Sequence, residues 1–216
     1  MREIIKVVKE KLVAKYLKDG SIKNYSKRAK KFKPRIKARL RKNKQIIGKN
    51  IGNFFDWIKG AELVELKECN TKEDPVRPEL DNTFRRSYGR KIFGVKYKRE
   101  IHAVMCFAYT NEIPKSVEEL DIMSQDAHLQ STLRGQKVGK IAIAYTVWSK
   151  KKGGGKLIVK EVFNKIKKSN HLNRLVTLSP LTDMAYKFHI KNGAKLISVN
   201  ETTQNFEYKV IKNKKY

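Results

Sequence analysis

At residues 147–169 the sequence reads VWSKKKGGGKLIVKEVFNKIKKS: an apolar run breaks after Trp148, three lysines and three glycines intervene, and an amphipathic run restarts. The order describes a strand ending at Ser149, a loop of Lys150, Lys151, Lys152, Gly153, Gly154 and Gly155, and a helix beginning near Lys156. Such a junction brings open backbone N–H groups and the positive end of a helix together. The glycines admit left-handed angles and close approach of a ligand to the backbone, and the lysines add point charge. No Gly-Lys-Ser/Thr closes the loop, so it is not a Walker A loop, and it lacks the GxGxxG dinucleotide spacing. From spacing alone it is either a flexible basic turn or a cradle for phosphate.

Hydrophobic periodicity sets the elements around this loop. Ile4, Ile5, Val8, Leu12 and Tyr16 fall on one helical face over residues 3–18, and QIIGKNIGNFFDWIKG is a second helical candidate ending at Gly60. AELVELKEC reads as a strand, RPELDNTFRRSYG as a short helix, and RKIFGVKYKREIHAVMCFAYT as two strands around a polar turn at Lys98 to Glu100. Residues 113–136 read as a polar connection with some helix near SVEELDIM. Then come KIAIAYTVWS as strand, 155–168 as helix, RLVTLSP as strand, 181–192 as helix, and AKLISVN and NFEYKVIK as strands. The expected order is β, α, β, β, β, α, β, α, β, β, preceded by a basic helical segment. Residues 1–60 form that arm and 61–216 the main domain.

The charge is equally uneven. The formal net charge is +29, and no acid occurs between Asp19 and Asp56, where Lys23, Lys27, Arg28, Lys30, Arg35, Arg39, Arg41 and Lys49 are among the cations. Residues 23–49, with Tyr25, Phe32, Ile36 and Leu40 at helical intervals, read as a basic helix kinked at Pro34. Such a field attracts nucleic acid or another polyanion, unless it reflects only a lysine-rich composition. No apolar run approaches the roughly 18 residues of a membrane span and the N-terminus lacks a signal-peptide core, so the expectation is a cytoplasmic protein. Cys69 and Cys106 sit singly, as buried fillers rather than functional thiols, and no His/Cys/Asp/Glu cluster has metal-ligand spacing, so no metal is expected.

Read as Lys150-x-x-Gly153-x-Gly155, the loop resembles the Q/R-x-x-G-x-G/A motif of the GNAT acyltransferase superfamily, with lysine in place of the usual Gln or Arg. The segment AYKFHIKNGAKL resembles that superfamily's helix ending before the next strand, with His189 at the usual tyrosine position. The segments CFAYTNEIPKSVEELD, AIAYTVWS, LIVKEVFNKIKK, LVTLSP and FHIKNGA are similar, in order, to the catalytic domain of the malonyl-CoA decarboxylase branch. The resemblance implies an α+β (α/β) fold with a mixed, splayed central sheet flanked by helices. It also implies coenzyme A or acyl-CoA as co-substrate, held by Val147, Lys150, Lys152, Gly153, Gly154, Gly155 and Lys156, with Ser179 near the pantetheine.

For the chemistry, the resemblance points to His189, Thr146 and Ser149. Only His189 matches its motif position directly; Thr146 or Trp148 falls where the decarboxylase branch has a serine, and Ser149 is close by. An imidazole titrates near neutral pH and can protonate a departing thiolate or position an acyl carbonyl. Tyr145, Thr146 and Ser149 would line the thioester, where backbone N–H groups serve as an oxyanion site. Glu112, Glu118, Glu119 and Asp121 are candidate bases for an amine, or simply solvated carboxylates; His102 reads as a packed strand residue; Ser179-Pro180 is expected to cap the next helix. Three functions follow: a GNAT-type acyl-CoA N-acyltransferase, a malonyl-CoA decarboxylase-like enzyme, or a catalytically inactive nucleic-acid-binding or structural module.

Overall fold

Strands form wherever the sequence alternates or bunches β-branched and aromatic residues. A computed structural model describes residues 56–135 and 139–210. The strands are β1 (Glu62–Leu66), β2 (Lys91–Tyr97), β3 (Glu100–Thr110), β4 (Ile141–Ser149), β5 (Arg174–Pro180), β6 (Lys195–Val199) and β7 (Thr203–Tyr208). They build one seven-stranded sheet in the order β1-β2-β3-β4-β5-β7-β6. Every pairing is antiparallel except β4 with β5. That exception follows from the connection, because a helical crossover returns the chain in the same direction. The β2–β3 turn holds Lys98 and Arg99 at φ of 49° and 70°, the left-handed pair that a two-residue hairpin favours.

The helices are α1 (Asn82–Arg86), α2 (Val117–Arg134), α3 (Gly154–Lys168) and α4 (Asp183–Lys191). Helix α3 buries Leu157, Ile158, Val162 and Ile166 along one stripe against Phe93, Met105, Ala144 and Phe206 on one face of the sheet. Each such side chain contributes about 1.5–3 kcal/mol by leaving water. On the other face Leu120 of α2 packs with Ile92, Val104, Cys106, Ile143 and Leu178. The mixed sheet with helices on both faces is the expected architecture.

Two differences from expectation concern helices. Residues 113–136, read as largely polar connection, hold the 18-residue α2. Its Ser116 hydroxyl accepts from the Glu119 N–H at 3.1 Å, and Gly135 closes it at φ 60°. Apolar residues lie on both sides, with Leu120 and Ala127 buried but Ile122, Leu129 and Leu133 exposed, so no single stripe marks it. Ser179 does not cap α4: that role belongs to Thr182, whose Oγ1 accepts from the Ala185 N–H at 3.2 Å, because Ser179 lies within β5 opposite Gln204. The helices expected at 3–18 and 23–49 lie outside the described residues, as does most of the candidate ending at Gly60, of which residues 56–60 are helical. Among the described residues no helix is long and apolar enough to cross a membrane.

Candidate functional site

The parallel pairing of β4 and β5 is short. It covers Ile141–Ala144 against 174–177, while β4 continues to Ser149 and β5 to Pro180. Where pairing stops, β4 carries an extra residue: Cys106 of β3 faces Thr146 and Phe107 faces Ala144, leaving Tyr145 unmatched. A bulge of this kind bends its strand. β5 meanwhile stays registered with β7 to Pro180, so the sheet splits between β4 and β5. A cavity of about 320 Å³ occupies the split. Its walls draw on both faces of the sheet, with Met105, Val147 and Tyr208 from the α3 side and Tyr145 and Trp148 from the α2 side.

On the α3 side a chain of hydrogen bonds lines the cavity. Ser179 Oγ donates to Thr177 Oγ1 at 3.0 Å and lies 2.8 Å from His189 Nε2, while His189 Nδ1 lies 2.9 Å from the Tyr208 hydroxyl. Burial lowers the His189 pKa to about 4, so the ring is neutral at pH 7 and presents one donor and one acceptor. The single Ser179 proton is already directed at Thr177. Nε2–H therefore donates to Ser179, and the Tyr208 hydroxyl donates to Nδ1. Burial also raises the Tyr208 pKa, which keeps that phenol protonated. Stacking on Phe206 at 4.8 Å and an edge contact with Phe188 at 5.1 Å fix the ring.

On the α2 side the groups are charged, and the carboxylate among them is already paired. Thr146 Oγ1 donates to Asp74 at 2.9 and 2.8 Å, and Asp74 Oδ2 pairs with Arg85 Nη2 at 2.8 Å with both side chains fully buried. Arg85 also donates to the carbonyls of Leu80 and Arg77, each at 2.7 Å. Arg77 Nη2 reaches the Leu178 carbonyl at 3.1 Å, within the part of β5 that β4 no longer covers.

The loop at the end of β4 is pinned before it opens. Lys150 N donates to the His102 carbonyl at 2.9 Å, and Lys150 Nζ pairs with Glu73 at 2.7 Å, which holds that carboxyl below its ordinary range. Lys151 Nζ sits 4.7 Å over the Trp57 ring and 4.9 Å over Tyr97, anchoring the loop by cation–π contact. Lys152 and Lys156 are exposed. Gly153 adopts φ 86° as the N-cap of α3, with no side chain bonded to the helix end and no acid in the first turn. Leu157 N is the first to bond within the helix, to the Gly153 carbonyl at 3.0 Å. The N–H groups of Gly155 and Lys156 thus have no intrahelical acceptor, and Gly155 lines the cavity.

Of the residues singled out in the sequence, His189, Thr146, Ser149, Val147, Lys150, Gly155 and Ser179 meet around this one cavity. Lys152, Gly153, Gly154 and Lys156 belong to the loop and helix start beside it. Glu118 and Glu119 start α2, Asp121 pairs with Arg90, and His102 packs edge-on against Trp57 at 5.1 Å. Sequence reasoning missed Thr177, Tyr208, Asp74 and Arg85, which lie on elements far apart in the chain and carry no local signature.

No protein-family model matches the sequence, and no curated protein matches it. Malonyl-CoA decarboxylase from Agrobacterium vitis superposes with a TM-score of 0.56 at 14% identity, over 73% of this chain and 63% of that one. The chain thus spans less than two thirds of that enzyme's length. GphF, a GNAT-like decarboxylase in complex with isobutyryl-CoA, superposes with a TM-score of 0.55 at 9% identity, over 69% of this chain and 100% of that one. The chain has the GNAT fold.

Proposed function

We propose that the protein is an acyl-CoA-dependent acyltransferase acting in the cavity between β4 and β5. The observation that carries this reading is that one cavity is walled from both faces of a split sheet, which leaves room for a thioester on the α3 side and an acceptor on the α2 side. Coenzyme A fits the groups present. The N–H groups of Gly155 and Lys156, with the ammonium groups of Lys152 and Lys156, hold its diphosphate. The edge of β4 from Tyr145 to Ser149, free of β5, receives the pantetheine amides, with Val147 and Ser179 beside them. Acyl-CoA supplies an activated carbonyl. His189, beside Ser179, offers its Nε2 proton to the leaving sulfur, while the Tyr208 hydroxyl, which keeps its own proton, fixes the tautomer from Nδ1.

A second reading, decarboxylation of an acyl-CoA, is favoured by the state of the titratable groups. Glu73 is tied to Lys150 and Asp74 to Arg85 and Thr146, and an imidazole with a pKa of about 4 is a weak base. Donors without a strong base suit a reaction that needs only charge stabilisation. Residues 23–49 are proposed to bring a polyanionic partner such as nucleic acid, an association expected to weaken linearly in log affinity with log salt.

Calorimetry of the full chain with CoA and acetyl-CoA tests the first step, and absence of binding at millimolar ligand overturns both enzymatic readings. Thiol release from acetyl-CoA with amine acceptors, against carbon dioxide release from malonyl-CoA, then separates them. Gly154→Val is expected to weaken CoA binding at least about tenfold. A Cβ there would meet the Ser149 Cβ at 3.0 Å and the His102 carbonyl at 3.4 Å, and the resulting overpacking of about 1–3 kcal/mol displaces the start of α3. Unchanged affinity in a folded Gly154→Val protein excludes the loop as the diphosphate site.

A further inference from the structure

The chain has two cysteines, and the fold brings both to the same helix. The sheet register sets Leu66 opposite Ile92 and Ile92 opposite Cys106, and three residues beyond Leu66 the chain places Cys69 against the same α2-side core that contains Cys106. Helix α1 grips both residues. The Asn82 side-chain amide accepts from Cys69 N at 3.0 Å, donates to the Cys69 carbonyl at 3.0 Å, and lies 3.6 Å from its sulfur. Arg85 Nη1 donates to Cys106 Sγ at 3.2 Å. Asn82 and Arg85 are three residues apart and so stand on one helix face, which holds both cysteines, and the two thiols share a side-chain hydrogen bond.

The two thiols are unequal. A hydrogen bond with Cys106 lowers the Cys69 pKa, and burial raises that of Cys106 well above its ordinary value. Cys69 is half-buried and lines a pocket of about 170 Å³ together with Glu73, Trp148 and Lys150, three residues that also line the main cavity. Small oxidants therefore reach Cys69, while Cys106 is shielded.

We infer that Cys69 and Cys106 are an oxidative modification site, forming a reversible intramolecular disulfide with a peroxide as oxidant and shifting the wall of the cavity when they do. The Cys69 thiolate attacks one peroxide oxygen, the O–O bond breaks, and Cys69 becomes a sulfenic acid as the other oxygen leaves as hydroxide and is protonated to water. The Cys106 sulfur, losing its proton beside the Arg85 guanidinium, attacks the Cys69 sulfur and expels a second hydroxide, which that proton neutralises. Two thiols and one hydrogen peroxide give one disulfide and two waters. Bringing the sulfurs to about 2.05 Å draws Cys106 Sγ from Arg85 Nη1, and the same guanidinium holds Asp74. Asp74 in turn holds Thr146 and the Val76 N–H, the latter at 2.9 Å, and both residues line the cavity. The regulatory meaning of this shift rests on the acyl-CoA reading; the chemistry does not.

Full-length protein is treated with hydrogen peroxide, denatured, labelled with a maleimide and weighed intact. The expected result is loss of both alkylatable thiols with a mass decrease of roughly 2 Da, the two hydrogens given up, reversed by dithiothreitol. Cys69→Ser and Cys106→Ser each abolish the cross-link, and Asn82→Ala, which releases Cys69 from α1, slows its formation. Cys69 carrying two or three added oxygens while Cys106 stays alkylatable overturns the inference, as do two unreacted thiols. In a Trp57→Phe background, where Trp148 is the remaining indole, oxidation is expected to shift the fluorescence of the wall; unchanged emission overturns the coupling. Neither measurement uses CoA, so failure here and failure of CoA to bind are separate results.

Discussion

Asp74→Ala is expected to cost about 3–5 kcal/mol of folding stability, the range for breaking one side of a buried ion pair. Asp74 is 2% exposed, and its carboxylate meets Arg85 Nη2 at 2.8 Å, the Thr146 hydroxyl, and the Val76 and Arg77 N–H groups at 2.9 and 3.2 Å. Alanine leaves the Arg85 guanidinium, itself fully buried, without a counter-charge. For a chain of this length, a loss of that size lowers Tm on the order of 10 °C. Urea unfolding measures it directly. Arg85→Met is expected to be costly too, but the double variant should recover part of the sum, because each single change strands the other group. A loss below about 1 kcal/mol for Asp74→Ala would show that the pair is open to solvent.

The same cluster explains why much of the site could not be read along the chain. The strands were legible because β-branched and aromatic residues bunch in KIFGVKY, IAIAYTVWS and RLVTLSP, a pattern set by the sheet surface itself. Gly153 to Gly155 were legible because glycines between a strand and a helix open the left-handed angles and the close backbone approach that such a turn requires. His189 was legible through its FHIKNGA segment. The split was not, since it depends on which residue of β4 faces which residue of β3, and Tyr145 looks like any other apolar strand residue until Cys106 is seen opposite Thr146. Nor was the pairing of Ser179 with His189: as a Ser-Pro ahead of a helix, Ser179 has a cap's sequence context, and only its place in β5 directs it at the imidazole. Lys150 shows the reverse case. Its position matches the motif, yet its ammonium belongs to Glu73, a residue far back in the chain.

His189→Ala is expected to lower turnover by roughly 10²–10⁴, the usual contribution of a positioned proton-transfer group, while CoA affinity changes by no more than about threefold. The separation follows from position: the groups proposed to hold the diphosphate are Gly155 and Lys156, whereas His189 is buried between Ser179 and Tyr208. Tyr208→Phe removes the donor to Nδ1 and is expected to give an intermediate loss, because either tautomer then becomes available. The pH profile follows the protonation state of the imidazole. With its pKa lowered to about 4 by burial, His189 stays neutral through the usual histidine range, so the rate should not fall as pH drops through 6.5. Stability follows the same group: below pH 6.5 the unfolded histidine takes a proton that the folded one refuses. Its contribution, complete above that pH, is therefore lost as pH falls toward 4, by roughly 3 kcal/mol. His189→Gln should flatten that acid limb of the unfolding curve. Full turnover in His189→Ala, beside a flattened limb in His189→Gln, would leave the histidine a structural role alone and move the proton donor to Ser179.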